Sequence, residues 1–190
     1  YLSKELDFDK IAVMNDANAA ALGEYHFGGL SESAVMVTLG TGVGGGIILD
    51  GKVLEGNGGF GGEIGHVQLD KTFNYICGCG AIGCSETVAS ATGLKRLYKE
   101  FSGLEEEAKE IFELAKKDDE IAKKTTDLYS KYIADLCQKI SVIVNPEVFI
   151  IGGGVSKAGN FLLDEIKKQF KRMNSFEALN SQCFKLAKLG

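Results

Sequence analysis

Ser33-Ala34-Val35-Met36-Val37-Thr38-Leu39-Gly40-Thr41-Gly42-Val43-Gly44-Gly45-Gly46-Ile47-Ile48-Leu49-Asp50-Gly51-Lys52-Val53-Leu54 is the stretch that decides the fold. Apolar and small residues alternate from Ser33 to Leu39, Gly40 to Gly44 supply a turn, and Gly45 to Leu49 return before Asp50-Gly51 and a third short strand, Lys52 to Leu54. The pattern predicts an antiparallel meander. Gly40-Thr41-Gly42-Val43-Gly44-Gly45 also satisfies G-x-G-x-x-G, but a dinucleotide-binding motif needs a helix after its glycines. Here a strand and turn follow, and no P-loop lysine is present. Two readings remain for the glycines: a plain hairpin, or a cradle whose backbone N–H groups and Thr41 hydroxyl approach the terminal phosphates of a nucleotide.

Upstream, Lys10 to Met14 reads as a strand running into a helix from about Ala17 to Tyr25, with Asn15 and Asp16 at the junction and a break at Phe27-Gly28-Gly29. Downstream, Gly56 to Gly83 is glycine-rich and irregular, a poor loop for its length unless something other than a core holds it. Helices are expected over Glu86 to Phe101, Leu104 to Lys117 and Ile121 to about Val144. The last of these carries a stripe of Leu128, Tyr129, Tyr132, Ile133, Leu136, Ile140 and Ile143. Asn145 and the only proline, Pro146, stop it; a buried strand, Glu147 to Ile151, then meets Gly152-Gly153-Gly154 and a helix from about Ala158 to Met173. The fold class is α/β.

The chain has 190 residues, 45% of them hydrophobic, enough for one sizeable core. A net charge of -5 gives no general attraction for nucleic acid or anionic membranes. The most apolar stretch, Ala34 to Leu49, is interrupted by glycines and falls short of the ~20 residues a membrane span needs. Tyr1 to Asp7 has no signal-like pattern, so the expected location is the cytoplasm.

His66, Cys77, Cys79 and Cys84 have the spacing H-x10-C-x-C-x4-C, four soft or borderline ligands in one irregular loop, which is a zinc pattern. Four protein ligands close a tetrahedral site, so the metal would be structural. Its binding free energy, on the order of 10 kcal/mol, would double as local folding energy. Cys137 sits among Ile133, Leu136 and Ile140 and reads as a buried inert thiol. Asp16 and Asn15 have the ordinary reading of helix caps. A phosphotransfer enzyme also needs a carboxylate to accept the acceptor hydroxyl's proton, and a helix N-terminus would keep Asp16 ionised and aimed. Glu63 and Glu86 flank the loop, either as surface acids or as recognition groups for sugar hydroxyls. Gly152, Gly153 and Gly154 make a tight turn or admit a nucleotide to the backbone.

Asn15-Asp16-Ala17-Asn18-Ala19-Ala20, Gly40 to Gly46, Gly62-Glu63-Ile64-Gly65-His66, Cys77 to Glu86 and Ile151 to Gly154 occur in that order, and the ordered set resembles the ROK family. The resemblance implies an actin-like ATPase (ribonuclease H-like) lobe: a mixed sheet with helices and a zinc-binding loop spanning residues 56–86. Residues 1–30 would end the N-terminal lobe and hinge, and 31–190 would form the C-terminal lobe. In such kinases Asp16 is the catalytic base, Asn15, Asp16, Glu63, His66 and Glu86 hold the sugar, and Gly40, Thr41 and Gly42 meet the phosphates. Gly152, Gly153 and Gly154 match the adenosine motif, and His66 would serve both zinc and sugar. The implied ligands are a hexose, ATP, Mg2+ and structural Zn2+, in a homodimer. Glu86 to Gly93 looks like the glucokinase branch, so glucose is the expected hexose. The family's Asp-x-Gly-Gly-Thr phosphate motif is absent, so the chain is expected to be a fragment that turns over poorly or not at all by itself; Met14, where relatives often carry an acid, bears on fine substrate positioning. Two other readings have the same lobe: the sugar sensor of a ROK-type transcriptional repressor, and a purely structural zinc module.

Overall fold

The computed structural model describes residues 13–29, 33–173, 179 and 181–189. The meander forms as its sequence predicts: β1 (Ala34–Leu39), β2 (Val43–Leu49) and β3 (Lys52–Val53) run antiparallel, with Val37 opposite Gly45 and Leu49 opposite Lys52. The strand β4 (Val148–Gly152) lies parallel to β1, Val35 opposite Phe149, and a fifth strand, β5 (Cys183–Leu186), lies parallel to β4. The order β3-β2-β1-β4-β5 is the expected mixed sheet. Central strands covered on both faces read as continuous apolar runs, and β4, Val-Phe-Ile-Ile-Gly, is buried at every residue.

Side-chain alternation divides two cores. Val35, Val37, Leu39, Ile47, Phe149 and Ile151 face a large cluster built with α2 (Ser85–Ala89), α3 (Ala91–Ser102), α4 (Ala108–Lys116), α5 (Glu120–Val144) and α6 (Asn160–Met173). Ala34, Met36, Ile48, Val148 and Ile150 face a smaller one that includes Ala21 of the helix α1 (Asp16–Phe27). The long helix buries Tyr129, Tyr132, Ile133, Leu136, Cys137 and Ile140, but its stripe ends there, because Ile143 is exposed. The buried Tyr129 hydroxyl donates to Ala89 O at 2.9 Å, tying α5 to α2. Burial pushes the Cys137 thiol far up, consistent with an inert core cysteine.

Several boundaries differ from those predicted: β2 begins at Val43, two residues before Gly45, and β3 ends at Val53. The helix expected over Glu86 to Phe101 breaks at Ser90, whose extended backbone and Oγ, accepting from Gly93 N–H at 3.0 Å, cap a new helix. The helix expected from Leu104 begins at Ala108, and the preceding Glu105 and Glu107 pair with Lys99 and Lys95 on α3. A 3-10 turn over Gly154–Ala158 precedes α6, and Gly159, at φ 70°, separates them. The strand expected over Lys10 to Met14 falls largely outside the described residues, and Val13 and Met14 have no regular structure. β5 was not anticipated; it is fixed by Phe184, whose ring lies 5.2 Å from Phe149 and 5.0 Å from Phe170.

The boundary drawn near residue 30 falls at residues outside the description, while α1 on its near side packs directly on β2. The contact depends on missing side chains. A Cβ on Gly46 would stand 2.4 Å from Ala21 Cβ and 2.8 Å from Ala17 O, and one on Gly44 would stand 3.1 Å from Ala17 Cβ. The other end of α1 is held by Glu24, a buried carboxylate that accepts from the backbone N–H groups of Lys188 and Leu189 at 2.8 and 2.6 Å. Among the described residues no helix is long and apolar enough to cross a membrane.

Because the neighbours of Gly46 include main chain that cannot step aside, Gly46→Ala is expected to destabilise the protein by about 1–3 kcal/mol in urea unfolding. Gly40→Ala, where an added Cβ meets nothing within 4 Å, is the matched control and should change stability by no more than about 0.5 kcal/mol. Equal effects at the two sites would refute the close-packing account.

Candidate functional site

The helix α1 begins with its polar residues sorted by role. Asn15, with extended backbone, is the N-cap: its Oδ1 accepts from Ala17 N–H at 2.9 Å and Asn18 N–H at 3.2 Å. Asp16 is therefore the first helical residue rather than the cap, and its Oδ1 accepts from Ala17 N–H at 2.8 Å. Both are exposed and line a cleft of about 450 Å³.

The opposite wall is the turn between β1 and β2. Gly40, Thr41 and Gly42 line the same cleft, and the turn is pinned from behind, Gly40 O accepting from Ala91 N–H at 2.8 Å and Thr41 O from Thr92 Oγ1 at 3.0 Å. Gly42 is glycine for clearance: a Cβ there would stand 2.2 Å from Glu86 Oε2. Glu86, in the first turn of α2, reaches the cleft by that route. Glu63 arrives from the other side. Ile64 is buried beneath Gly45, where a Cβ would be 2.4 Å from Ile64 Cγ1, and Ile64 O accepts from Ser85 Oγ at 2.7 Å. These anchors leave the preceding Gly62 and Glu63 on the cleft wall.

A second cavity of about 640 Å³ shares Gly40 and Thr41 with the first. Phe112, Val155, Ala91, Ala108 and Ala158 give it apolar walls, and Lys109, Lys116 and Lys157 border it. Of the three glycines Gly152 to Gly154, two divide between the two spaces. Gly153, at φ 81° and with β1 passing so close that a Cβ would be 2.7 Å from Leu39 O, lines the first; Gly154 lines the second. Gly152 lines neither: it is the buried last residue of β4, where a Cβ would meet Met36 Cε at 2.6 Å.

His66, Cys77, Cys79 and Cys84 converge, their ligand atoms all within 4.8 Å of one another. His66 Nδ1 is 3.5 Å from Cys77 Sγ, and Cys79 Sγ is 3.7 Å from Cys84 Sγ. Zinc bond lengths of about 2.3 Å to sulfur and 2.05 Å to nitrogen require tetrahedral edges of about 3.8 Å (S to S) and 3.6 Å (N to S), so the donor set fits that ion. Burial pushes the Cys84 thiol up to about 12 and also raises Cys77, whereas the Ala81 N–H lowers Cys79. His66 belongs to this cluster and does not line the cleft that Glu63 lines.

The segment around the cluster is not held by these four side chains alone. Short bridges pair Gln68 with Cys84 and Ile76 with Ile82, and Val67, Leu69, Phe73 and Tyr75 pack against the main core. Asp70 ties it to α5, accepting from the Tyr132 hydroxyl and from Thr72 N–H at 2.7 Å. Partial burial works against its charge, but the hydrogen bonds from Thr72 and Tyr132 outweigh it and hold the Asp70 carboxyl below the usual carboxylate range.

Asn18 is a residue that sequence reasoning passed over. Among the described residues its Oδ1 is the one buried side-chain oxygen or nitrogen without a hydrogen-bond partner. Such a group costs roughly 1–3 kcal/mol and asks for an explanation. The apolar lining of the second cavity was missed too, because its residues come from distant segments.

The sequence signature of the ROK family matches residues 2–190. A glucokinase from Halalkalibacterium halodurans is 38% identical over 196 residues, covering 95% of this chain and 59% of the relative. Among crystal structures, a ROK family glucokinase from Streptomyces griseus in complex with glucose and AMPPNP superposes with a TM-score of 0.88 at 32% identity, covering all of this chain and 66% of that one. A ROK family transcriptional regulator, a homolog of the E. coli MLC protein, superposes with a TM-score of 0.82 at 27% identity, covering 97% of this chain and 49% of that one. The chain thus spans about 59% of the length of the glucokinase relative.

Tyr132→Phe is expected to lower stability at pH 7 by about 1 kcal/mol, discounted for partial exposure. Because the Asp70 value is depressed in the folded state, that contribution is present above the unfolded value near ~3.9 and fades as pH falls through the folded value. Urea titrations at pH 7 and in acid should find the gap between wild type and variant closing on the acid side. A gap independent of pH would contradict the role given to Asp70.

Proposed function

The chain belongs to the ROK family, and on that premise we propose that it carries the acceptor-binding and base-bearing part of an ATP-dependent hexose kinase, with glucose as the hexose. The observation that carries the reading is the convergence of Asp16, Glu63 and Glu86 on one cleft whose far wall is the Gly40-Thr41-Gly42 turn. Carboxylates accept hydrogen bonds from sugar hydroxyls, and an open glycine turn presents backbone N–H groups to phosphate oxygens. The second cavity, continuous with that turn through Gly40 and Thr41, has apolar walls suited to a nucleobase and lysines suited to its phosphates.

In this reading the hexose lies between Glu63, Glu86 and the start of α1. Asp16 accepts the proton of the 6-hydroxyl as that oxygen attacks the γ-phosphorus, and the ADP oxygen leaves in line. Phosphoryl transfer asks little covalent chemistry of the protein, so the work is orientation and the backbone donors at Thr41 and Gly42, the Gly40 N–H donating within the turn to Gly42 O at 3.0 Å. Mg2+ bound with the nucleotide supplies neutralisation of phosphate charge. His66, Cys77, Cys79 and Cys84 would hold a structural Zn2+, which supplies rigidity to the loop ending at Glu86. Similarity to a transcriptional regulator supports a second reading, a sugar-sensing lobe. Asp16 together with a nucleotide-sized second cavity favours the kinase.

In the full-length protein, Asp16→Asn should cut kcat by about 100-fold or more while hexose affinity stays within about threefold. Coupled ADP-release kinetics and calorimetry measure the two; undiminished turnover would remove Asp16 from its role. Metal analysis of the purified protein should find one zinc per chain, and Cys79→Ser, which alters an exposed ligand, should lower both zinc content and melting temperature. Four unliganded, fully reactive side chains in an intact fold would rule the zinc assignment out.

A further inference from the structure

Asn18 lies where three elements meet. It is two residues beyond Asp16 on α1, and its Cα is 3.3 Å from where a Cβ on Gly46 of β2 would stand. β3 is two residues long and pairs only with Ile48 and Leu49, so it leaves the edge of β2 at Gly45 uncovered. Gly62 occupies that edge: its ideal Cβ lies 3.2 Å from Gly45 O and 3.9 Å from Asn18 Oδ1. The next residue is Glu63, on the cleft wall. The Asn18 side chain is buried, with the residue 5% exposed, and its Oδ1 has no donor among the described residues. The backbone bonds of the facing segment use its carbonyls, Gly62 O accepting from Ile64 N–H at 2.6 Å and Glu63 O from His66 N–H at 3.2 Å.

A buried acceptor with no donor is a local destabilisation that an apolar residue of the same size would relieve. One reason for such a group to be retained at a functional site is that the ligated state supplies the donor. Gly62, at φ 86°, is a point at which this segment can change direction, and since its ideal Cβ lies 3.9 Å from the orphaned oxygen, its own N–H and that of Glu63 belong to the segment beside that oxygen. We propose that Asn18 is a positioning residue for Glu63: when a hexose occupies the cleft, the Gly62–Glu63 backbone turns an N–H toward Asn18 Oδ1, and this bond holds Glu63 at the working distance from Asp16. The proposal rests on the hexose-kinase reading and deepens it. Asn18 does not touch the substrate. It acts through Glu63, and the hydrogen bond it makes in the ligated state adds to hexose affinity.

The test uses Asn18→Leu, close in size and without the acceptor, with Asn18→Ala as a second variant in the full-length protein. Loss of one hydrogen bond formed only with hexose bound should raise the glucose KM about tenfold, with kcat and the nucleotide KM little changed. The unliganded melting temperature of Asn18→Leu should equal or exceed that of wild type, and the upward shift that glucose produces in wild type should shrink in both variants. A merely structural asparagine gives the opposite pattern: a lower unliganded melting temperature with an unchanged KM, and that result would overturn the proposal, as would an unchanged KM at unchanged stability. Because unliganded melting is read without substrate, a wild type that failed to phosphorylate glucose would sink the functional reading, whereas a destabilised Asn18→Leu protein would sink the role assigned to Asn18.

Discussion

Close approach across the glycine run of β2 is the constraint from which the site follows. Gly44 and Gly46 face α1 and Gly45 faces Ile64, so a three-residue stretch of one strand without side chains receives a helix on one face and a loop on the other. Successive residues of a strand alternate sides, so three consecutive glycines clear both faces at once. The helix brings Asp16 to the cleft and the loop brings Glu63, each at a separation that a single methyl group on β2 would increase. Glycine in a strand weakens it by removing side-chain packing. Here that weakness is offset by burial of α1 and Ile64 against the bare backbone and by the neighbouring β1, which is buried almost throughout.

The remaining wall depends on a second close approach. Glu86 follows two residues after Cys84 of the His/Cys cluster, and its carboxylate lies against Gly42, so the cluster segment and the β1–β2 turn share one contact. The segment has its own support in Asp70, Tyr132 and the Val67 to Tyr75 residues packed on the core. The cluster of His66, Cys77, Cys79 and Cys84 therefore sits in a segment that the fold already anchors at its base. This arrangement lets a stretch poor in regular structure carry an acidic residue to a fixed position.

Much of this was legible in the residues, for identifiable reasons. The meander could be read because its alternation and turn residues are local, and the G-x-G-x-x-G pattern could be rejected as a dinucleotide motif because Ile47-Ile48-Leu49 has a strand's composition; β2 indeed runs from Val43 to Leu49. The four potential metal ligands could be grouped because they lie within one loop. What could not be read depends on contacts between distant segments. β5 is a strand because Phe184 finds Phe149 and Phe170, and nothing in Cys-Phe-Lys-Leu announces that. Phe112 and Val155 line one cavity although more than forty positions separate them. Asn18 received no role of its own from the sequence, and its unpaired oxygen shows only once the fold brings Gly62 beside it.

The central claim is that the start of α1, Glu63 and Glu86 form one hexose-binding wall with Asp16 as its proton acceptor. A crystal structure of the full-length protein with glucose tests this most directly. The account predicts the 6-hydroxyl oxygen within about 3 Å of an Asp16 carboxylate oxygen, with other ring hydroxyls on Glu63 and Glu86. Glucose bound in another cavity, or bound here with its 6-hydroxyl turned away from Asp16, would contradict it.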